Sequence, residues 1–185
     1  MKKYTLLFAF TFLSFWFLYS CGGQNSIYNT EYPLSAETAQ STGGNFSVTI
    51  PADWYIAEND QFDLWLVKND LSTTIIFQAL ILDEKTKSGL LKNPTSQLIA
   101  YSKMFRKGKL GKNFIDLKKD EEFRLSGKLF GAYEYADGKG NRKRVVVFSF
   151  GKQYYESISV IKPPIEESNL NKIFALQNAV LKSLK

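Results

Sequence analysis

The chain has 185 residues, a formal net charge of +6, one cysteine and no histidine. The lack of histidine excludes Ser-His triads and removes the commonest general base and metal ligand, which disfavours zinc and haem sites. A single cysteine can form neither an internal disulfide nor an iron–sulfur ligand set. Any chemistry would therefore depend on carboxylates, lysines, hydroxyls and tyrosines.

The N-terminal segment has the pattern of an export signal. Lys2 and Lys3 precede an uncharged, mostly apolar run that extends from Tyr4 to Tyr19. This run is shorter than the roughly 20 residues that a membrane-spanning helix needs. We therefore predict that residues 1–20 are a signal peptide. Removing its two lysines lowers the formal net charge from +6 to +4, and this modest charge, with export, disfavours nucleic acid as a partner.

The end of the apolar run resembles a lipobox, the site at which bacterial lipoproteins are cleaved and lipidated. Leu18 stands three positions before Cys21, and the small residue Ser20 stands directly before it, although Tyr19 is bulkier than usual. The resemblance implies cleavage between Ser20 and Cys21, diacylglycerol on the sulfur and an N-acyl chain, with no other cofactor. The alternative is an uncleaved anchor with an incidental cysteine. The absence of a disulfide partner favours the lipid acceptor.

The residues after Cys21 predict where the anchored protein resides. Gly22, in place of Asp, is similar to outer-membrane lipoproteins of Gram-negative bacteria, and no acidic cluster follows it. We therefore expect a lipid-anchored protein of the bacterial cell envelope that faces the periplasm from the outer membrane. Residues 21–44 are interpreted as the lipidated cysteine and a flexible tether with a reach of roughly 25 to 30 Å. Residues 45–185 are predicted to form one domain.

Three strands are predicted at the start of this domain. Apolar and polar residues alternate from Phe46 to Ile50, and Pro51 ends the strand. Residues 63–67 and 73–82 are apolar on both alternating faces, which is typical of central strands. Residues 68–70, Lys-Asn-Asp, predict a turn between them, so these two strands are expected to pair.

A helix is predicted next, with Asn93 as N-cap, Pro94 at the first helical position and an end near Gly108. An apolar stripe at helical spacing from Leu170 to Leu184 predicts a second helix. The result is an α+β fold, an antiparallel sheet of about six to eight strands packed against two helices. Five short segments with high β propensity lie between the helices, at 114–117, 122–125, 129–135, 145–150 and 154–161.

One stretch of the domain resembles a known family. Residues 46–54, Phe-Ser-Val-Thr-Ile-Pro-Ala-Asp-Trp, are similar to the strand-Pro-x-x-Trp opening of PsbP-like domains, whose fold is shared with Ran-binding Mog proteins and envelope lipoproteins such as DcrB. Residues 151–155 and the Val-Leu-Lys-Ser ending at 180–183 also fit. The resemblance covers about residues 45–185 and implies a PsbP/Mog-like sandwich. It implies binding or accessory roles at most, since a shared fold does not transfer a function.

Two basic stretches and a tyrosine are the candidate binding residues. The first stretch lies around the end of the predicted helix, where cations also complement the helix dipole. The second lies beside a predicted hairpin turn. If folding brings them together, they could meet an envelope protein or an anionic surface such as lipid headgroups or a glycan. Tyr155 is adjacent to Tyr154, and one of the two is expected to face outward because neighbouring residues of a strand alternate faces. The candidates are Lys103, Arg106, Lys107, Arg142, Lys143, Arg144 and Tyr155.

The acidic clusters decide between catalytic and non-catalytic functions. Residues 120–122, Asp-Glu-Glu, lack the spacing of a calcium loop, and residues 83–84, Asp-Glu, follow a strand, so both are interpreted as solvated turns. We therefore favour a non-enzymatic, membrane-anchored binding or assembly module without a metal. Two alternatives remain at this point, an envelope hydrolase with paired carboxylates and a binder of a small amphiphile.

Overall fold

The structure is a computed structural model that describes residues 27–28, 31–90, 94–164 and 166–185. The predicted signal peptide, the cleavage and lipidation site at Ser20 and Cys21, and the predicted N-cap Asn93 lie outside these residues. Within the described part, no helix is long and apolar enough to cross a membrane.

The described part of the chain contains ten strands and three α-helices. Their order is β1 (Leu34–Gln40), β2 (Ser47–Pro51), β3 (Trp54–Ile56), β4 (Leu64–Lys68), β5 (Thr73–Ala79), α1 (Glu84–Gly89), α2 (Pro94–Leu110), β6 (Ile115–Asp116), β7 (Glu121–Leu125), β8 (Lys128–Ala136), β9 (Arg142–Phe150), β10 (Gln153–Ile161) and α3 (Glu167–Lys182), with a short 3-10 turn at Gly111–Asn113 before β6.

Eight of the strands form one antiparallel sheet in the order β3-β4-β5-β10-β9-β8-β6, and β7 pairs with the same edge of β8 as β6. The pairing of β4 with β5 confirms the expected hairpin. The α+β class, the strand number and the two long helices are confirmed. The short helix α1 was not predicted, because six residues are too few to show a helical period. Its N-cap is Asp83, whose carboxylate accepts a hydrogen bond from the Thr86 N–H at 2.6 Å.

Both faces of the sheet are covered, so it is the middle layer of a sandwich. On β9, Val145 and Val147 point into the apolar cluster under α2, while Val146 and Phe148 point into the cluster under α3. The β1–β2 hairpin lies on the α3 side and contributes Val48 to that cluster. This double burial explains why the central strands are apolar at successive positions.

Strand β1 corrects the predicted domain boundary, because the tether was expected to extend to Gly44. Leu34–Gln40 pairs with β2, and Ala39 is fully buried in the core. Asn178 Nδ2 also donates to the Ile27 carbonyl at 3.0 Å, so the fold begins near Ile27. The polar composition of this segment was misleading, since edge strands and extended segments tolerate polar residues on their outer side.

A buried polar cluster fixes α2 to the sheet. Glu156 on β10 is 1% exposed and forms an ion pair with Arg106 of α2. Ser102 donates to the other carboxylate oxygen at 2.5 Å, and Tyr133 lies 2.7 Å from the Ser102 hydroxyl. Gln78 on β5 donates to Glu156 as well. Burial raises the pKa of Tyr133 although the hydrogen bond with Ser102 opposes the shift, so its hydroxyl stays protonated and can donate.

We predict that Glu156→Gln lowers the free energy of unfolding by about 3 kcal/mol, because it leaves the Arg106 guanidinium unpaired in a mostly buried site. Urea denaturation measures the change. The same substitution at the exposed ion pair, Glu84→Gln, should cost less than about 0.5 kcal/mol. Combining Glu156→Gln with Arg106→Met should recover most of the loss, and a double variant no more stable than the single one would contradict this account.

We also predict that Gly131→Ala destabilises the contact between β8 and α2 by about 1 to 3 kcal/mol. A Cβ at Gly131 would lie 2.6 Å from Ile99 Cδ1 and 2.8 Å from Thr95 Cγ2. Gly108→Ala is the matched control, because no atom lies within 4 Å of its Cβ and alanine favours the helix by up to about 1 kcal/mol. The free energy of unfolding, measured by urea denaturation, should therefore fall in Gly131→Ala and rise in Gly108→Ala.

Candidate functional site

The three consecutive basic residues of β9 do not form the predicted binding surface. Strand alternation turns Lys143 towards one face of the sheet and its two neighbours towards the other. Arg142 contacts Glu134 at 2.9 Å, and Lys143 contacts Asp137 at 3.0 Å. Burial alone would raise the pKa of Asp137, but hydrogen bonds, with Asn141 and Lys143 foremost, lower it to about 2. Both cations are therefore neutralised within the fold.

Arg144 was predicted to be a binding residue, but its side chain is fully buried. Its guanidinium lies between the rings of Phe123 and Phe174, 5.2 and 5.5 Å from their centroids. It donates to Gln177 and Asn178 of α3 at 3.0 and 2.9 Å, and Glu121 lies 3.4 Å away. Arg144 thus joins β9 to α3 and is not available to an external ligand.

The predicted residues on α2 are also used mainly within the fold. Lys103 forms ion pairs with Asp116 at 2.9 Å and Asp120 at 2.6 Å, and Arg106 is held by Glu156. Lys107 is exposed and lies 3.9 Å from Asp116. Of the six predicted cations, only Lys107 is exposed, so folding does not bring them together as an anionic-surface site.

Tyr155 is the second candidate that the structure places in the core. It is fully buried on the α3 side, where its ring lies 5.1 Å from Phe46 and 5.8 Å from Phe148. Its neighbour Tyr154 is half-buried on the opposite face, packed with the residues under α2. The alternation was predicted correctly, but neither tyrosine is fully exposed because both faces of the sheet are covered.

The acidic clusters have structural roles in the described part of the chain. Asp120 and Glu121 contact Lys103 and Arg144, while Asp83 caps α1 and Glu84 pairs with Lys87 at 2.7 Å. No group of three or more acidic, cysteine or histidine residues that could hold a metal ion occurs among the described residues. Asp116 and Asp120 face each other across the Lys103 ammonium group, which pairs with both carboxylates.

A groove of about 630 Å³ opens at one end of the sandwich, between the first half of α3 and the ends of β4, β5 and β10. Trp54, Ile161 and Leu176 form a buried apolar floor, and the half-buried Ile173 extends it. The volume lies in the range of small-molecule sites, roughly 300 to 1,000 Å³. We treat this groove as the candidate functional site.

Strand register places the groove residues. Trp54 on β3 lies opposite Lys68 on β4, and Ile161 on β10 lies opposite Thr73 on β5. The chain leaves β10 at Lys162, whose N–H donates to Ser72 O at 3.2 Å. The turn into α3 therefore begins at the rim of the groove, and the first turns of α3 form its other wall.

Three lysines stand at the rim of the groove, Lys68, Lys162 and Lys172. Lys68 pairs with Asp70, whose pKa is lowered by hydrogen bonds from Lys68 first and Ser72 second. Lys162 and Lys172 are exposed and form no ion pair with a described residue. Neither was singled out from the sequence, because isolated lysines carry no pattern.

Comparisons with known proteins give the fold. No family model matches the chain, and no curated protein matches it. The solution structure of cyanobacterial PsbP (CyanoP) from Synechocystis sp. PCC 6803 is similar over 91% of this chain and 98% of its own, with 13% identity and a TM-score of 0.55. A point mutant of the protein Mog1 is similar over 80% of this chain and 94% of its own, with 10% identity and a TM-score of 0.50.

At sequence identities of 13% and 10%, the structural similarity establishes a shared fold and does not transfer a function. The antiparallel sheet, the covering helices and these two likenesses agree with the resemblance found in residues 46–54. The chain therefore has a PsbP/Mog-like α+β fold.

Proposed function

We propose that the chain is a non-catalytic binding module, anchored by lipid in the bacterial cell envelope, that receives its ligand in the groove beside Trp54. One observation carries the proposal. The groove places Lys162 and Lys172, which form no ion pair with any residue that the structure describes, next to an apolar floor, whereas the cations predicted elsewhere are mostly neutralised within the fold. Unpaired charge beside apolar surface favours binding of a ligand from outside.

The positions of the acidic residues support binding over hydrolysis. A glycosidase-type hydrolase needs two carboxyl groups that face each other across a substrate at a separation of roughly 5 to 10 Å. Asp120 and Asp116 are brought together, but the Lys103 ammonium group lies between them and pairs with both, while Glu121 contacts Arg144. The acid among the residues that line the groove is Glu166. An accessory role by binding is thus favoured over the hydrolase alternative.

The start of the fold supports a position close to the membrane. Because Ile27 is already bonded to α3, only five residues separate the folded part from Cys21. The six residue-to-residue steps from Cys21 to Ile27 span at most about 20 Å, which is shorter than the reach expected of the longer tether. With lipid on Cys21, the domain would be held beside the membrane surface, which we propose is the periplasmic face of the outer membrane.

The anchor is tested by palmitate labelling in a bacterial host. We predict that the wild-type chain incorporates labelled palmitate and stays in the membrane fraction. Cys21→Ala should lose the label and the membrane association, because it removes the only thiol in the chain. Ser20→Ala is the matched control, since it keeps a small residue before the cysteine and should still be labelled. Label that persists in Cys21→Ala would refute the lipid anchor.

The non-catalytic role is tested with the purified protein. We predict no turnover of fatty-acyl esters, phospholipids or aryl glycosides above the rate without protein, since Asp83, Glu84, Asp120 and Glu121 of the two predicted acidic clusters are engaged in the fold. Asp120→Asn and Glu121→Gln serve as probes. A measurable hydrolysis rate that falls at least about 100-fold in either variant would replace the binding proposal with the hydrolase.

A further inference from the structure

The groove combines two surfaces that different parts of one ligand would contact. Its floor is apolar, with Trp54 8% exposed and Ile161 and Leu176 less exposed still. Its rim carries the ammonium groups of Lys162 and Lys172. An alkyl chain can cover the apolar surface that stays accessible around Trp54 and Ile173, and an anionic head can pair with the ammonium groups. The complementary ligand has an alkyl chain and an anionic head.

We infer that the groove binds a single-chain fatty acid, with the alkyl chain on the Trp54 floor and the carboxylate between Lys162 and Lys172. This inference rests on the proposed binding function and names the class of its ligand. The lipid attached to Cys21 plays no part in it.

The charge of the rim favours an anionic head over a neutral or cationic one. Lys68, Lys162 and Lys172 face a single acid of the lining, Glu166, and Asp70 offsets Lys68. The rim is therefore net positive. Both unpaired lysines are exposed, so they reach the ligand without losing an internal partner, and their attraction to a carboxylate weakens as salt screens it.

The dimensions of the groove favour one alkyl chain. A volume of about 630 Å³ suits a small molecule, and the floor consists of four neighbouring side chains, Trp54, Ile161, Ile173 and Leu176. One chain laid over these residues covers the accessible part of the floor, and each methylene that is fully withdrawn from water strengthens binding by up to about fourfold. Tyr32 lines the same groove from the N-terminal segment and adds a further partly apolar wall.

The test uses Trp54 fluorescence in the chain that starts at residue 21 and carries Cys21→Ser and Trp65→Phe. This chain retains every described element, and Trp54 is then its only tryptophan. Decanoate and laurate are titrated below their micelle concentrations, beside acetate, decyl maltoside and decyltrimethylammonium. We expect saturable changes with both fatty acids, roughly tenfold tighter for laurate, and binding at least tenfold weaker for the three controls.

Charge reversal locates the carboxylate. Lys162→Glu with Lys172→Glu should weaken laurate binding by at least about tenfold. Lys109→Glu with Lys152→Glu changes the net charge equally at exposed positions outside the groove and should leave binding within about twofold. Far-ultraviolet circular dichroism and urea denaturation establish that both double variants fold like the parent.

Three results would overturn the inference. They are equal binding of decyl maltoside and laurate, acetate binding as tight as laurate, and laurate binding that falls equally in both double variants. None of them contradicts the proposal of a lipid-anchored, non-catalytic module, which the palmitate labelling of Cys21 and the hydrolysis assay test separately. Fatty-acid binding by a protein that lacks the Cys21 label would likewise leave the groove inference intact and refute only the anchor.

Discussion

The pairing of β5 with β10 is the constraint on which the rest of the structure depends. It joins strands from the two halves of the domain, with Thr73 opposite Ile161 at one end and Ala79 opposite Tyr155 at the other. Within this ladder, Gln78 lies opposite Glu156, so the register brings together the acceptor and one donor of the polar cluster under α2. The same register sets Ile161 and Thr73 at the groove. A shift by one residue would move both features to the wrong face.

The strands and long helices could be predicted because their signals are local. Alternation at Phe46–Ile50 and apolar runs in β4, β5 and β9 follow from the burial of one or both sheet faces. The boundary at Gly44 failed because β1 is an edge strand, stabilised by its pairing with β2 and not by its composition. Helix α1 depends on a single cap at Asp83, which no periodicity reveals.

The site could be predicted only in part, because charge pairing is a property of the folded chain. The run Arg142–Arg144 is continuous in sequence, but the strand directs its members to opposite faces, where each has an acidic partner. The groove lysines are separated in sequence and meet only because β10 ends beside α3. The absence of histidine is visible in the sequence and limits the candidate side chains to carboxylates, lysines, hydroxyls and tyrosines.

The two ends of α3 are held by different kinds of contact. At its C-terminal end, Ser47 and Lys185 exchange backbone hydrogen bonds of 2.9 and 3.0 Å, and the Thr49 N–H donates to the Ser183 hydroxyl at 2.8 Å. At its N-terminal end, Leu170 and Phe174 make apolar contacts with Ile161. Hydrogen bonds are directional, whereas apolar contacts tolerate sliding. We therefore expect the end of α3 beside the groove to yield more readily than the end that is hydrogen-bonded to β2, so that the width of the groove could change without disturbing the remainder of the sandwich.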